Sequence, residues 1–136
     1  MTVATQVPAT SIPAFDRSSV EAVIQLYFDG LYESDIAKLG AAFHPTADLR
    51  WQDKGELHVL TYQDWLDRVA KRPSAKAQGH PRHDFVVTID RSDENTAFVK
   101  VKCALLPRFF TDYLVLLKLA DGWRIVSKAY RFETKE

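Results

Sequence analysis

Several features that mark common functional classes are missing from this sequence of 136 residues. Its single cysteine, Cys103, cannot form a disulfide within the chain, and no cysteine and histidine residues have the spacing of a zinc site. Lysine plus arginine and aspartate plus glutamate number 18 each, so the basic excess typical of nucleic-acid binding is absent. The sequence has no phosphate-binding glycine loop, no dinucleotide motif and no nucleophile elbow. We therefore expect no metal, no cofactor and no nucleic-acid partner.

Long apolar segments are also missing. The longest apolar-rich stretch, residues 113–120, contains Lys118 and is too short to span a bilayer. Residues 1–8 have neither the basic region nor the apolar region of a secretory signal. We therefore predict a soluble cytoplasmic protein without a membrane partner, and this compartment also suits an unpaired thiol.

Length and composition indicate one globular domain. Hydrophobic residues make up 46% of the chain and charged residues 26%, which is the balance of a folded protein and not of a disordered one. Residues 1–14 are rich in Thr, Ala, Ser and Pro without periodicity, and they are predicted to form a flexible N-terminal tail. Residues 15–136 are predicted to form a single domain.

Three helices are predicted in the first half of the chain. Residues 18–21 and 61–64 both resemble capping boxes, in which side chains satisfy the free amides at a helix start. Ser34 is expected to cap the second helix, and Pro45 is expected to end it. With the helical spacing of apolar residues, these signals predict helices over 20–31, 35–43 and from 62 to before 73, then a mobile loop over 73–81.

The remaining segments have the patterns of strands. Most of them alternate apolar and polar residues, whereas residues 110–119 are apolar on both faces. Asp121 and Gly122 form a tight-hairpin sequence, because both residues tolerate a positive φ. The chain is therefore predicted to have an α+β fold, with three helices and one curved, mostly antiparallel sheet of about six strands.

Four sequence segments resemble a known superfamily. They are YFDGL at 27–31, FHPTA at 43–47, FTDYLVLLK at 110–118 and DGWRIVSK at 121–128. Together they are similar to the nuclear transport factor 2-like superfamily, and within it to the branch described as putative lumazine-binding. The resemblance covers residues 15–132. It implies a cone-shaped fold, in which three N-terminal helices close a strongly curved sheet around one pocket, and a homodimer formed through the sheet face.

The superfamily contains both enzymes and binding proteins, so the fold does not decide the function. Ketosteroid isomerases, one of its enzyme groups, need a carboxylate base and two acidic hydrogen-bond donors to an oxyanion. By resemblance, Tyr27 takes the position of the oxyanion tyrosine, but Trp51 stands in place of the base and Val115 in place of the aspartate donor. Steroid isomerisation by that mechanism is therefore not expected.

Lys128 is the most informative single candidate. Counting along the last hairpin places it on the same face as Val126, Tyr130 and Phe132, and we expect this face to point into the cone. A desolvated ammonium group there would bind an anionic or carbonyl-bearing ligand. An exposed lysine or an ion pair with Asp112 also fits the pattern, but the pair requires the assigned facing to be wrong by one residue.

The resulting prediction is a homodimeric small-molecule-binding protein, with one aromatic-lined pocket per subunit for a planar aromatic or polycyclic ligand. The alternative is a cofactor-independent cyclase, dehydratase or isomerase in which Lys128, His44 or Asp112 is the acid or base. The sequence is also consistent with core packing for the aromatic residues and with a helix C-terminal position for His44. The predicted ligand-binding residues are Tyr27, Trp51, Trp65, Tyr113, Lys128 and Phe132.

Overall fold

The computed structural model describes residues 15–135, and the predicted tail over 1–14 lies outside them. Three helices and six strands make up the described residues, which confirms the predicted α+β fold. None of the helices in the described part is long and apolar enough to cross a membrane. In chain order the elements are α1 (Val20–Glu33), α2 (Ile36–Ala42), β1 (Asp48–Asp53), β2 (Glu56–Thr61), α3 (Tyr62–Lys71), β3 (Phe85–Asp93), β4 (Thr96–Leu105), β5 (Arg108–Leu119) and β6 (Gly122–Thr134).

Polar side chains begin each helix, although one cap differs from the prediction. Ser19 accepts a hydrogen bond from the amide of Ala22 at the start of α1, and Thr61 accepts one from Asp64 at the start of α3. Ser34 does not cap α2, because it ends α1 with a left-handed backbone at φ 51°. Asp35 takes that role, with its carboxylate accepting from two amides of the first turn of α2.

The six strands form one sheet in the order β2-β1-β6-β5-β4-β3. Every neighbouring pair is antiparallel except β1 and β6, which run parallel and place Leu49 opposite Lys128. The helices cover the concave face of this sheet, and fully buried side chains such as Tyr27, Phe43 and Ile125 fill the space between them. The hydrophobic core therefore lies between the helices and the concave face of the sheet.

A β-bulge in β6 changes which residues face the core. Val115 pairs with Ser127 and Leu116 pairs with Ile125, so Val126 is an extra residue on β6. Before the bulge Ile125 is buried, whereas after it the buried residue is Lys128. The prediction that Val126 and Lys128 share a face was wrong, but the inward direction of Lys128 was right.

The segment over 73–81 is a loop of turns, as predicted, and its mobility stays a prediction. Hydrogen bonds join the loop to α1. The amide of Lys76 donates to the carbonyl oxygen of Tyr32 at 3.1 Å. The hydroxyl group of Tyr32 donates in turn to the carbonyl oxygen of His80 at 2.8 Å. These contacts hold the loop beside the C-terminal end of α1.

Candidate ligand cavity

A cavity of about 120 Å³ lies between α3, the end of α1 and the concave face of the sheet. A buried water needs roughly 10–15 Å³ of this kind of volume, so the cavity has room for roughly ten atoms of that size. Its walls include three aromatic rings: Trp65 from α3, Phe110 from β5 and Tyr130 from β6. Rings in this arrangement can stack on a planar molecule or meet its edge.

A buried polar cluster forms the base of the cavity. The Asp112 carboxylate is 1% exposed, and its Oδ2 accepts a hydrogen bond from the Tyr27 hydroxyl at 2.5 Å. The Cys103 Sγ lies 3.5 Å from the same oxygen, and the Lys128 Nζ lies 3.8 Å from it. Lys128 is 5% exposed, so the ion pair is almost completely removed from water. Asp112 Oδ1 is also buried, and it has no hydrogen-bond partner among the described residues.

Aromatic rings surround the Lys128 ammonium group. Its Nζ lies 5.2 Å from the ring centroid of Tyr27, 5.1 Å from that of Trp65 and 4.9 Å from that of Tyr130. Ring faces attract a cation, and this attraction is larger where the cation is desolvated. The lysine is therefore held by three rings as well as by Asp112, which explains how a charged side chain is accommodated in the core.

Two other titratable groups of the cluster stay neutral at pH 7. Burial, with the charge of Asp112, raises the pKa of Tyr27 well above its ordinary value. Burial and the same charge also raise the pKa of the Cys103 thiol well above its ordinary value, although Lys128 opposes this shift. Tyr27 is therefore a hydrogen-bond donor to Asp112, and Cys103 lacks the thiolate character of a nucleophile.

Three arginines lie at the outer end of the cavity. Arg68 from α3 and Arg108 from β5 are exposed, while Arg72, just after α3, is partly buried. Burial and the charge of Asp112 raise the pKa of Tyr130, and the charges of all three arginines oppose that shift. The cavity therefore has aromatic walls, a buried ion pair at its base and cationic groups at its entrance. In the described part of the chain, no group of three or more His, Cys, Asp or Glu side chains could hold a metal.

The sequence of residues 15–131 matches the model of the family described as putative lumazine-binding. The chain belongs to this family. No curated protein matches it.

Solved structures share the fold of this family member at low sequence identity. A nuclear transport factor 2-like protein of unknown function from Silicibacter pomeroyi is 21% identical, with 84% of this chain and 92% of that chain covered and a TM-score of 0.73. A ketosteroid isomerase-like protein from Erwinia carotovora atroseptica is 13% identical, with 85% and 95% covered and a TM-score of 0.63. A cystatin-like fold protein from Burkholderia xenovorans is 18% identical, with 86% and 91% covered and a TM-score of 0.64. These similarities show that the chain shares the fold of these nuclear transport factor 2-like and cystatin-like structures.

Four of the predicted site residues meet at the cavity of this putative lumazine-binding family member. Trp65, Lys128 and Asp112 line it directly. Tyr27 lies one layer deeper, fully buried, and reaches the site through its hydrogen bond to Asp112. Tyr27 therefore positions Asp112 and does not itself line the cavity.

Tyr113 and Val115 face away from the cavity, contrary to the prediction for Tyr113. Side chains alternate along β5, and Asp112, Leu114 and Leu116 point inward. Tyr113 is therefore 38% exposed on the outer face, where its ring stacks on Phe98. Val115, which the resemblance placed at the position of the aspartate donor, therefore faces outward. The aspartate that lies beside Tyr27 is Asp112.

Trp51 and Phe132, which were predicted to bind the ligand, and the acid–base candidate His44 do not line this cavity. The Trp51 ring stacks on His58 at 5.2 Å and, with Phe132, lines a separate surface groove. Phe132 is 37% exposed, because β6 extends beyond the cavity at this point. The His44 Nδ1 lies 2.7 Å from the Thr46 hydroxyl in the turn after α2, which fits its alternative structural role.

The arginines and two of the aromatic wall residues were not predicted as site residues. Arg68 and Arg72 follow Trp65 by three and seven positions, which is the spacing of one helix face. This spacing was a usable signal once Trp65 was assigned to the pocket. Arg108 and Phe110 belong to β5, and only the folded sheet brings them opposite α3.

Proposed function

We propose that this protein binds a small planar aromatic molecule in the cavity and that it acts without a resident cofactor. The observation that carries this proposal is the combination of aromatic walls with a buried Asp112–Lys128 pair at the base. A planar ligand can lie against Trp65 and Tyr130 and exchange a hydrogen bond with Asp112 Oδ1 or the Lys128 ammonium. The family description refers to lumazine, a planar heterocycle, and this supports a ligand of that shape.

We also propose a homodimer formed through the outer face of the sheet, with one cavity per subunit. The outer face carries the stacked pair Phe98 and Tyr113, whose ring centroids are 6.1 Å apart, beside the half-buried Val115 and Leu117. Apolar side chains on neighbouring strands form a patch that a second copy of the chain can cover. The dimer would leave the cavity free, because the cavity is on the opposite face.

A thermal-shift screen of the full chain tests the ligand class. Lumazine, pterins, flavins and planar phenols are compared, and Lys128→Met is measured beside the control Lys118→Met, at an exposed lysine near the end of β5. A ligand at a hundred times its Kd stabilises the protein by about 2.7 kcal/mol, or several degrees. We expect a shift that Lys128→Met reduces and Lys118→Met leaves unchanged. A complete absence of shifts, or equal shifts in both variants, would contradict this site.

An acid–base enzyme is the second candidate, and the Tyr27–Asp112–Lys128 cluster favours it. A carboxyl group with one free oxygen lines the cavity, within 3.8 Å of an ammonium group. Such a pair can accept and return a proton in a cyclisation, dehydration or isomerisation. Of the predicted acid–base candidates, Lys128 and Asp112 are retained, and His44 is not.

Product analysis by NMR after incubation with compounds found in the screen tests this candidate. An enzyme requires turnover that Asp112→Asn abolishes while binding is retained, with the exposed Asp90→Asn as the control. Binding without any turnover in the unaltered protein favours the binding protein.

A further inference from the structure

We propose that the ligand is an aromatic acid, whose carboxylate or comparable oxyanion is bound by Arg68, Arg72 and Arg108 at the cavity entrance. Its ring would then lie deeper, against Phe110 and Tyr130. This inference rests on the proposed function and narrows it from any planar aromatic molecule to an anionic one.

The charges that line the cavity do not balance. Four cationic side chains line it, Arg68, Arg72, Arg108 and Lys128, and Asp112 is the only acidic side chain that the described residues contribute to the lining. The nearest cation to Asp112 is Lys128, at 3.8 Å, so this pair is internally compensated. Within residues 15–135, none of the three arginines forms a salt bridge to an acidic side chain. Three like charges therefore converge on the entrance, and a bound anion would relieve their repulsion.

Arg72 carries the most specific evidence. Its Nη2 is buried and has no hydrogen-bond partner among the described residues. Buried polar groups in folded proteins nearly always have a partner, and a buried charged donor without one is costly. Burial lowers the pKa of Arg72, and the charge of Arg108 acts in the same direction. An oxyanion at this position would supply the acceptor that the described residues do not.

The surroundings favour an oxyanion attached to a ring over a free inorganic ion. Guanidinium groups bind carboxylate and phosphate through paired N–H donors. Arg72, Arg108 and Phe110 also line an adjoining cavity of about 290 Å³, so the arginines lie between two spaces. An inorganic ion would contact only the arginines, whereas an aromatic acid would also fill the apolar part of the 120 Å³ cavity.

Isothermal titration with matched acids and amides tests the proposal on the full chain in phosphate-free buffer. The probes are benzoate and benzamide, 2-naphthoate and 2-naphthamide, phenyl phosphate and inorganic phosphate. The variants are Arg72→Gln and Arg108→Gln, with Arg50→Gln as the control. Arg50 is exposed and is paired with Asp48 on the surface, so its loss leaves the cavity intact.

We expect each acid to bind at least about tenfold more tightly than its amide, because the charge-assisted bonds are lost in the amide. Arg72→Gln and Arg108→Gln should each weaken acid binding by about 10- to 100-fold, and amide binding should not change. Arg50→Gln should change neither. Arg108 is exposed, so its variant keeps the test informative if Arg72→Gln fails to fold.

Equal affinity for acids and amides would overturn the anionic ligand and leave the proposed function standing. If none of these probes binds, both the anionic ligand and the proposed function are overturned for ligands of this size. Tighter binding of phenyl phosphate than of benzoate would support the anion and assign it to a phosphate ester. If inorganic phosphate binds as tightly as benzoate, the claim that the aromatic ring of the ligand contributes to its affinity is overturned.

Discussion

Replacing Lys128 with methionine would leave the Asp112 carboxylate without its cation in the core. The Nζ–Oδ2 distance of 3.8 Å corresponds to about 4 kcal/mol at an effective dielectric constant of about 20. Removing one partner of a buried ion pair typically costs about 3–5 kcal/mol. Tyr27 and Cys103 still contact the same carboxylate oxygen after the substitution. We therefore expect a loss near the lower end of this range, about 3 kcal/mol.

A double-mutant cycle separates the ion pair from the other effects of the substitution. Asp112→Asn keeps an acceptor for Tyr27 and leaves the Lys128 ammonium against three rings, so we expect a smaller loss of about 2 kcal/mol. The double variant should lose less than the sum of the two, by about 2–3 kcal/mol, because neither charge is then left unpaired.

Urea unfolding followed by tryptophan fluorescence measures all four proteins at one protein concentration, since self-association would change the apparent stability. The m-value should be the same in each protein. A coupling energy below about 0.5 kcal/mol would show that the two substitutions are additive. The ion pair would then contribute nothing to the folded state, and the argument from burial would be wrong.

Three further predictions concern single residues. Cys103 is buried with a raised pKa, so Ellman's reagent at pH 8 should react at least about 100-fold more slowly than in urea; comparable rates would contradict this. Tyr27→Phe should cost about 1–3 kcal/mol in urea unfolding at pH 7 by removing the donor to Asp112. The raised pKa of Tyr27 means that its contribution is complete below pH about 10 and lost above it, so the variant should lose less stability than the parent from pH 9 to 11. Tyr113→Asp should halve the mass measured by light scattering, and an unchanged mass would exclude this face from the dimer.

The elements of the fold were predictable because their signals are local. Helix caps, helical spacing and the hairpin at residues 121–122 depend on neighbouring residues, and the structure confirms most of them. The predicted cap of α2 was wrong by one position. Ser34 ends α1 and the next residue, Asp35, caps α2, and both roles favour small polar residues.

The facing of β5 was not predictable from its pattern. Residues 110–119 are apolar on both faces, so alternation does not tell which face is buried. Carboxylates are seldom fully buried, which favours an outward Asp112. Its inward direction depends on Tyr27, which is 85 positions away in sequence and lies beside it only in the fold.

The bulge at Val126 decides which residues of β6 face the cavity. Val126 has no partner of its own on β5, so deleting it would leave the pairs Val115–Ser127 and Leu116–Ile125 in place. Lys128 and Tyr130 would then still face the helices. Removing the bulge while keeping Val126, so that Val126 paired with Val115, would instead turn Lys128 and Tyr130 toward solvent and bring Ser127 and Ala129 inward. A change of strand pairing would thus remove the cation and an aromatic wall in a single step, without any substitution. Among related chains, a gap at position 126 is therefore compatible with the same cavity lining.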